Sequence, residues 1–333
     1  MRLTVIDQTP VHEQHTLATA PSTSLTLALE CERLGYHRYW VAEHHASIQF
    51  AGTSPEILVT RIASATNTIR VGSGGVMLSH YSPYKVAETF ALLGSLFPGR
   101  IDLGIGRAPG GSPLSSIALA APGQLDEQDH FPRQAAELCA FLRGNFPDDH
   151  PYAALARPLD AAAMPALWML GSGGGSSSLA GQLGMGLALA RFISPKVCSP
   201  DIFQHYQRVH RQAGNTGAPA QLLALAVVCA PTDEQARFIA GTAAYRKLKA
   251  GKQLREALLS PEQVCERYKQ MSAAERSAFD EVLDDMVVGS PQTCRQRIIE
   301  CADTFGCNEI GVVTVTHRFE DRLQSYRLLR NAF

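Results

Sequence analysis

Four segments of this 333-residue chain carry groups able to do chemistry directly at the ends of apolar, strand-like runs. Tyr39-Trp40-Val41-Ala42 leads into Glu43-His44-His45, a carboxylate beside two imidazoles. The run Ile69 to Met77 contains Gly72-Ser73-Gly74-Gly75, and Ile101 to Gly106 breaks at once into Arg107-Ala108-Pro109-Gly110-Gly111. Pro165 to Leu170 runs into Gly171-Ser172-Gly173-Gly174-Gly175-Ser176-Ser177-Ser178. A glycine turn carrying one arginine lets backbone N–H groups and a guanidinium converge on an anion. The Gly/Ser run adds hydroxyls from Ser172 and Ser176 and opens a helix, so it reads as a phosphate site and not as a linker.

The remaining groups admit several roles. His44 and His45 suit a metal, acid/base work or hydrogen bonding, but adjacent strand residues face opposite sides and make a poor chelate. One of the two points into a site, and spacing alone does not show which. Glu43 is a partner for them or a buried acid. Gly74-Gly75 permits close approach of a ligand or an unusual backbone. His80 is a weaker candidate, Asp102 reads as structural, and Arg191 ends another strand. The chain lacks the lysine of a P-loop, and Gly104-x-Gly106-x-x-x-Gly110 misses the dinucleotide spacing by one residue. A mononucleotide such as FMN is therefore favoured.

Strands must hold these ends together. Leu3 to Asp7, Tyr39 to Ala42, Ile69 to Met77, Ile101 to Gly106, Pro165 to Leu170, Gly186 to Ala190, Leu222 to Cys229 and Ile310 to Thr316 read as eight strands. Helical patterns separate most of them, as in Ser24 to Leu34, Pro83 to Phe97 and Pro200 to Ala213. Alternating strands and helices imply a parallel sheet, and eight such units imply an α/β (β/α)8 barrel with its site at the C-terminal strand ends. Ser112 to His130 and Ala250 to Asp285, after strands 4 and 7, read as insertion segments within a single domain, 1–333.

The chain is 45% hydrophobic and 18% charged with a formal net charge of -1, which argues against nucleic acid or an anionic membrane as the main partner. No run approaches the roughly 18 apolar residues of a membrane span, and the start does not read as a signal peptide. The eight cysteines form no Cys-x-x-Cys pair and read as reduced thiols, so a cytoplasmic protein without a metal site is expected.

Tyr39 to His45, Val71 to Leu78 and Gly99 to Gly110 together resemble the bacterial luciferase-like monooxygenase family, specifically its stand-alone flavin-dependent oxidoreductases. The resemblance extends through Leu170-Gly171-Ser172, Val288-Gly289-Ser290-Pro291 and Val313 to His317, and is looser after Gly111. It implies a (β/α)8 barrel, usually dimeric, binding FMN or F420. In the FMN branch a separate reductase supplies reduced flavin, which reacts with O₂ to a hydroperoxide that oxygenates a carbonyl or other small organic substrate. Carried over by position, His44 would stand at the reactive edge of the flavin. Gly74-Gly75 would form an unusual, often cis, peptide beneath the ring. Gly106, Arg107 and the loop Ser172, Gly173, Gly174, Gly175, Ser176 would hold the phosphate.

Three positions depart from the family. Gly175 stands where relatives usually carry an aromatic or bulky residue, Ala118 to Ala121 where they often have an arginine pair near a leucine, and Arg191 where they often place histidine. Beside the monooxygenase stand two further readings: an F420-dependent dehydrogenase or reductase on the same barrel, and a flavin-binding protein without turnover. A metal-dependent hydrolase lacks a second ligand at suitable spacing.

Overall fold

β-Branched and aromatic runs pair in the order in which they are synthesised. A computed structural model describes residues 1–123, 128–155, 159–250 and 256–333. Strand β1 (Arg2–Asp7) is followed by α1 (Ala20–Arg33), β2 (Arg38–Val41), α2 (Pro55–Ala65), β3 (Arg70–Met77), α3 (Pro83–Leu96) and β4 (Ile101–Gly106). Next come α4 (Pro113–Ala120), α5 (Phe131–Arg143), β5 (Ala166–Gly171), α6 (Ser177–Gln182), β6 (Gly186–Ala190), α7 (Pro200–Gln212), β7 (Gln221–Cys229) and α8 (Asp233–Leu248). The chain continues through α9 (Pro261–Gln270), α10 (Ala273–Asp284), β8 (Val287–Gly289), α11 (Pro291–Phe305), β9 (Glu309–Val313) and α12 (Phe319–Asn331).

β1 to β7 and β9 close into an eight-stranded parallel barrel, with β6 pairing with β7, β7 with β9 and β9 with β1. The expected (β/α)8 architecture is the one observed. Prolines at the first turns of α1 to α5, α7, α9 and α11 occupy positions where the missing N–H costs no hydrogen bond.

Both expected insertions contain regular structure. The first holds α4, and the second holds α9 and α10, each opened by a capping box, Ser260 with Gln263 and Ser272 with Glu275. Residues 124–127 and 251–255 of these segments lie outside the described residues. The short β8 pairs with Val227 to Cys229, while Leu223 to Ala226 pair with β9. The last barrel strand ends at Val313, short of the expected Thr316. Thr314 turns its hydroxyl to Val227 O (2.8 Å) and Thr316 bonds Arg318 O (2.6 Å), which takes both residues out of the ladder.

Two buried polar networks frame the barrel. At the N-terminal end of the strands, Asp102 accepts from Arg38 Nη1 (2.8 Å), Trp40 Nε1 (2.9 Å) and Arg70 Nε (2.9 Å), and Arg38 Nε also reaches Glu309 (2.8 Å). Asp102 is thus structural, as its place inside a strand suggests. Between barrel and helices, Asp7 accepts from Arg322 Nη2 (2.7 Å), Tyr39 Oη (2.6 Å) and its neighbour Thr9 N (2.7 Å). These networks fix which strands lie side by side, and so where the opposite strand ends meet.

Candidate active site

The C-terminal strand ends enclose a cavity of about 370 Å³, within the usual range of about 300–1,000 Å³ for small-molecule sites. Glu43, His44, Gly74, Gly75, Gly106, Arg107, Ser172, Gly173, Gly175 and Ser176 all border it. Four separate segments of sequence therefore converge at one mouth. Gly174 and His45 do not border the cavity.

Backbone bonds separate the two histidines. His44 N donates to Gly52 O (2.7 Å) and His45 N donates to Gly110 O (2.8 Å), so consecutive residues are tied to loops on different sides. The His44 ring packs on Phe50 with centroids 4.8 Å apart, and its Nε2 lies 3.5 Å from the amide nitrogen of Gln8. Burial, reinforced by the charges of Arg246 and His45, lowers its pKa to about 4. His44 is therefore a neutral imidazole at neutral pH.

His45 turns away from the cavity and donates from Nε2 to the buried Glu43 Oε1 (2.6 Å). The same oxygen accepts from Tyr81 Oη (2.6 Å), and Oε2 accepts from Met77 N (2.9 Å). Three donors leave the buried Glu43 carboxylate committed to holding β2, β3 and the turn after β3 in place. Of the three residues singled out in this motif, only His44 directs an otherwise uncommitted ring into the cavity region. His80 bonds Pro109 O (2.8 Å) outside it.

The Gly74–Gly75 peptide is cis, and the pairing of β3 with β4 shifts register there. A Cβ on Gly75 would lie 2.7 Å from Gly104 O and 3.0 Å from Leu170 Cδ1, so no side chain fits. The result is a smooth cavity wall made of backbone, able to meet a flat ring.

At the other side, the Arg107 side chain is half exposed and pairs with Asp129 (3.3 Å), with its guanidinium 5.5 Å from the Phe131 ring centroid. A Cβ built on Gly175 would stand 4.0 Å from Arg107 Nη2, so the arginine and the Gly/Ser loop face one another. That loop forms a short turn, Gly174–Ser176, before α6, and Ser177 Oγ closes it by donating to Gly174 O (2.6 Å). An exposed ion pair such as Arg107–Asp129 is worth at most about 1 kcal/mol, so a phosphate dianion competes readily for the guanidinium.

Several cavity residues were not singled out from sequence. Gln8 follows the end of β1 directly and was findable by the strand-end rule. Phe192 and Ile193 occupy the mouth after β6, while the neighbouring Arg191 donates to Asp285 O (3.3 Å) instead. Among the described residues, no three His, Cys, Asp or Glu side chains converge as metal ligands, and no helix is long and apolar enough to cross a membrane.

Residues 1–307 match the family described as luciferase-like monooxygenase. The chain is 34% identical over 337 residues to the N-acetyl-S-alkylcysteine monooxygenase of Bacillus subtilis (strain 168), covering 100% of this chain and 98% of the relative. The crystal structure of apo-MsnO8 is 37% identical with a TM-score of 0.87, covering 100% of this chain and 98% of that one. At the level of fold alone, two more structures superimpose. One is the oxygenating constituent of 3,6-diketocamphane monooxygenase from Pseudomonas putida in complex with FMN, with a TM-score of 0.71, 17% identity and coverage of 99% and 96%. The other is an F420-dependent secondary alcohol dehydrogenase, with a TM-score of 0.67, 15% identity and coverage of 100% and 98%.

Proposed function

The chain belongs to the luciferase-like monooxygenase family, and from that premise we propose that it uses reduced FMN and O₂ to oxygenate a small organic substrate. The observation that carries this reading is the convergence of His44, the side-chain-free Gly74–Gly75 wall and the Arg107–Gly/Ser pole on one cavity. Their chemistry suits the parts of FMN in turn. The backbone wall accepts the planar ring, while Arg107 with Ser172, Gly173, Gly175 and Ser176 accepts the phosphate. Reduced FMN, when bound, supplies the electrons that activate O₂.

The residues of the chain do the rest. His44, neutral and braced by Phe50 and Gln8, holds or moves a proton beside the ring site. Glu43 and His45 position the β2 loop from behind, and Ile6, Leu170 and Phe192 give the cavity an apolar lining that limits water. The substrate is a small carbonyl compound or, as the name of the 34% identical relative suggests, a thioether of the S-alkylcysteine kind. A separate reductase supplying reduced FMN is part of this proposal. So is pairing of two copies, for which Ile57, Leu92 and Leu96 on α2 and α3 offer exposed apolar surface.

The cofactor assignment is tested by titrating FMN into the protein and into Arg107→Ala while following flavin fluorescence. Loss of a charged hydrogen bond to phosphate weakens binding by about 1–3 kcal/mol, roughly fivefold to 150-fold. Riboflavin, which lacks the phosphate, is expected to bind both proteins alike. Equal FMN affinity in the two proteins would remove Arg107 from the phosphate site.

A further inference from the structure

Building on the flavin-dependent reading above, we infer that Arg246 recognises a carboxylate on the substrate. Arg246 stands in the last turn of α8, with its guanidinium 4.9 Å from the centroid of the Phe50 ring, the same ring that packs against His44. Its charge is among the causes that lower the His44 pKa. Arg246 Nε is buried without a hydrogen-bond partner, and no described carboxylate pairs with the guanidinium. Residues 251–255, which follow α8 closely, are Gly-Lys-Gln-Leu-Arg and contain no acid to supply one.

The two buried arginines among the described residues behave differently, whereas Arg330, half-buried like Arg246, likewise has an Nε without a partner. Arg38 is paired with Asp102 and Glu309, and Arg322 with Asp7. Neighbouring cations at the mouth are also committed, Lys247 to Phe192 O (2.6 Å) and Arg191 to Asp285 O (3.3 Å). A guanidinium with its Nε shut off from water and no counter-charge is costly, and an anionic ligand offsets that cost. A second observation points to the same place. Gln8 is buried, borders the cavity, and its Oε1 also lacks a partner. Gln8 thus lies beside His44, and Arg246 beside the Phe50 ring that packs on His44.

Arg107 cannot be the group that binds this anion. It contacts Asp129 and Phe131 in the segment after β4, whereas Arg246 reaches Phe50 in the segment after β2. Arg246 does not itself border the cavity but adjoins it through Phe50 and His44, in a sector apart from Arg107, so one cation suits a cofactor phosphate and the other a substrate. A carboxylate is chosen over a dianion because a single planar fork matches it in charge and shape. With the carboxylate at Arg246, the remainder of the molecule lies across His44 and against the apolar Phe192 and Ile193.

The test is calorimetric titration of hexanoate, benzoate and N-acetylmethionine, each beside its primary amide, into the protein with and without FMN. At least one carboxylate is expected to bind about tenfold or more tightly than its amide. Arg246→Met should abolish that preference while keeping the apolar cover of Phe50, and Arg246→Lys should retain part of it. Two results would overturn the inference: no carboxylate preferred over its amide, or a preference that survives in Arg246→Met. It also fails if Arg246→Met weakens reduced FMN and leaves the carboxylate preference intact, since the arginine then serves the cofactor. Failure of the wild-type protein to bind FMN at all counts against the functional reading alone, because the arm without FMN still measures the carboxylate preference.

Discussion

Replacing His44 with alanine is expected to lower oxygen-dependent substrate turnover by about 10²–10⁴-fold, the range for loss of a positioned acid/base group. Affinity for FMN should change little, because the phosphate pole and the glycine wall lie on other strands. The relevant assay is stopped-flow product formation with an aldehyde or thioether that the wild-type protein turns over. The folded-state pKa of about 4 adds a second signature. His44 stays neutral from pH 5 upward, so the pH dependence of kcat should show no inflection from it near 6.5, the usual histidine value. Unchanged turnover in His44→Ala would remove this residue from the reaction.

Arg322→Met is expected to destabilise the barrel by about 3–5 kcal/mol, the cost of leaving a buried ion without its partner. Arg322 and Asp7 are both fully buried, 2.7 Å apart, and Arg322 Nε also donates to Thr314 O (2.9 Å). After the substitution Asp7 keeps neutral donors such as Thr9 N and Tyr39 Oη but no cation. Urea unfolding measures the loss, and the double variant Asp7→Asn, Arg322→Met should recover a large part of it by removing the orphaned charge. The effect would reach function too, because Asp7 and Gln8 end β1 beside His44. A loss below about 1 kcal/mol would show that water or rearrangement compensates the pair, contrary to the burial seen here.

The barrel was legible because its strands are short apolar runs separated by helical patterns, and because glycine or charge follows so many of them. Asp102 could be read as structural from its place inside a strand. The second insertion was less legible. Ser260 to Gln263 and Ser272 to Glu275 carry capping-box spacing, but in a segment this polar that spacing does not by itself mark helices. β8 is three residues long, too short for alternation to register. At the site, strand alternation could not assign His44 and His45, because β2 ends at Val41 and both lie in the loop after it. Their directions come from the bonds to Gly52 O and Gly110 O, which only the folded loops provide. Arg246 was invisible for another reason: a cation in the last turn of a helix ordinarily complements the helix dipole. Only its burial and lack of a partner mark it.

The proposed oxygen chemistry is tested most directly by binding reduced FMN anaerobically, then mixing with O₂ in a stopped-flow spectrometer, with reduced F420 run in parallel. The account predicts tight binding of reduced FMN. It also predicts a transient distinct in absorption from both reduced and oxidised flavin, lasting longer than any seen with free FMN. Reoxidation at the rate of free FMN with no such transient, or binding of reduced F420 in preference to reduced FMN, would contradict it.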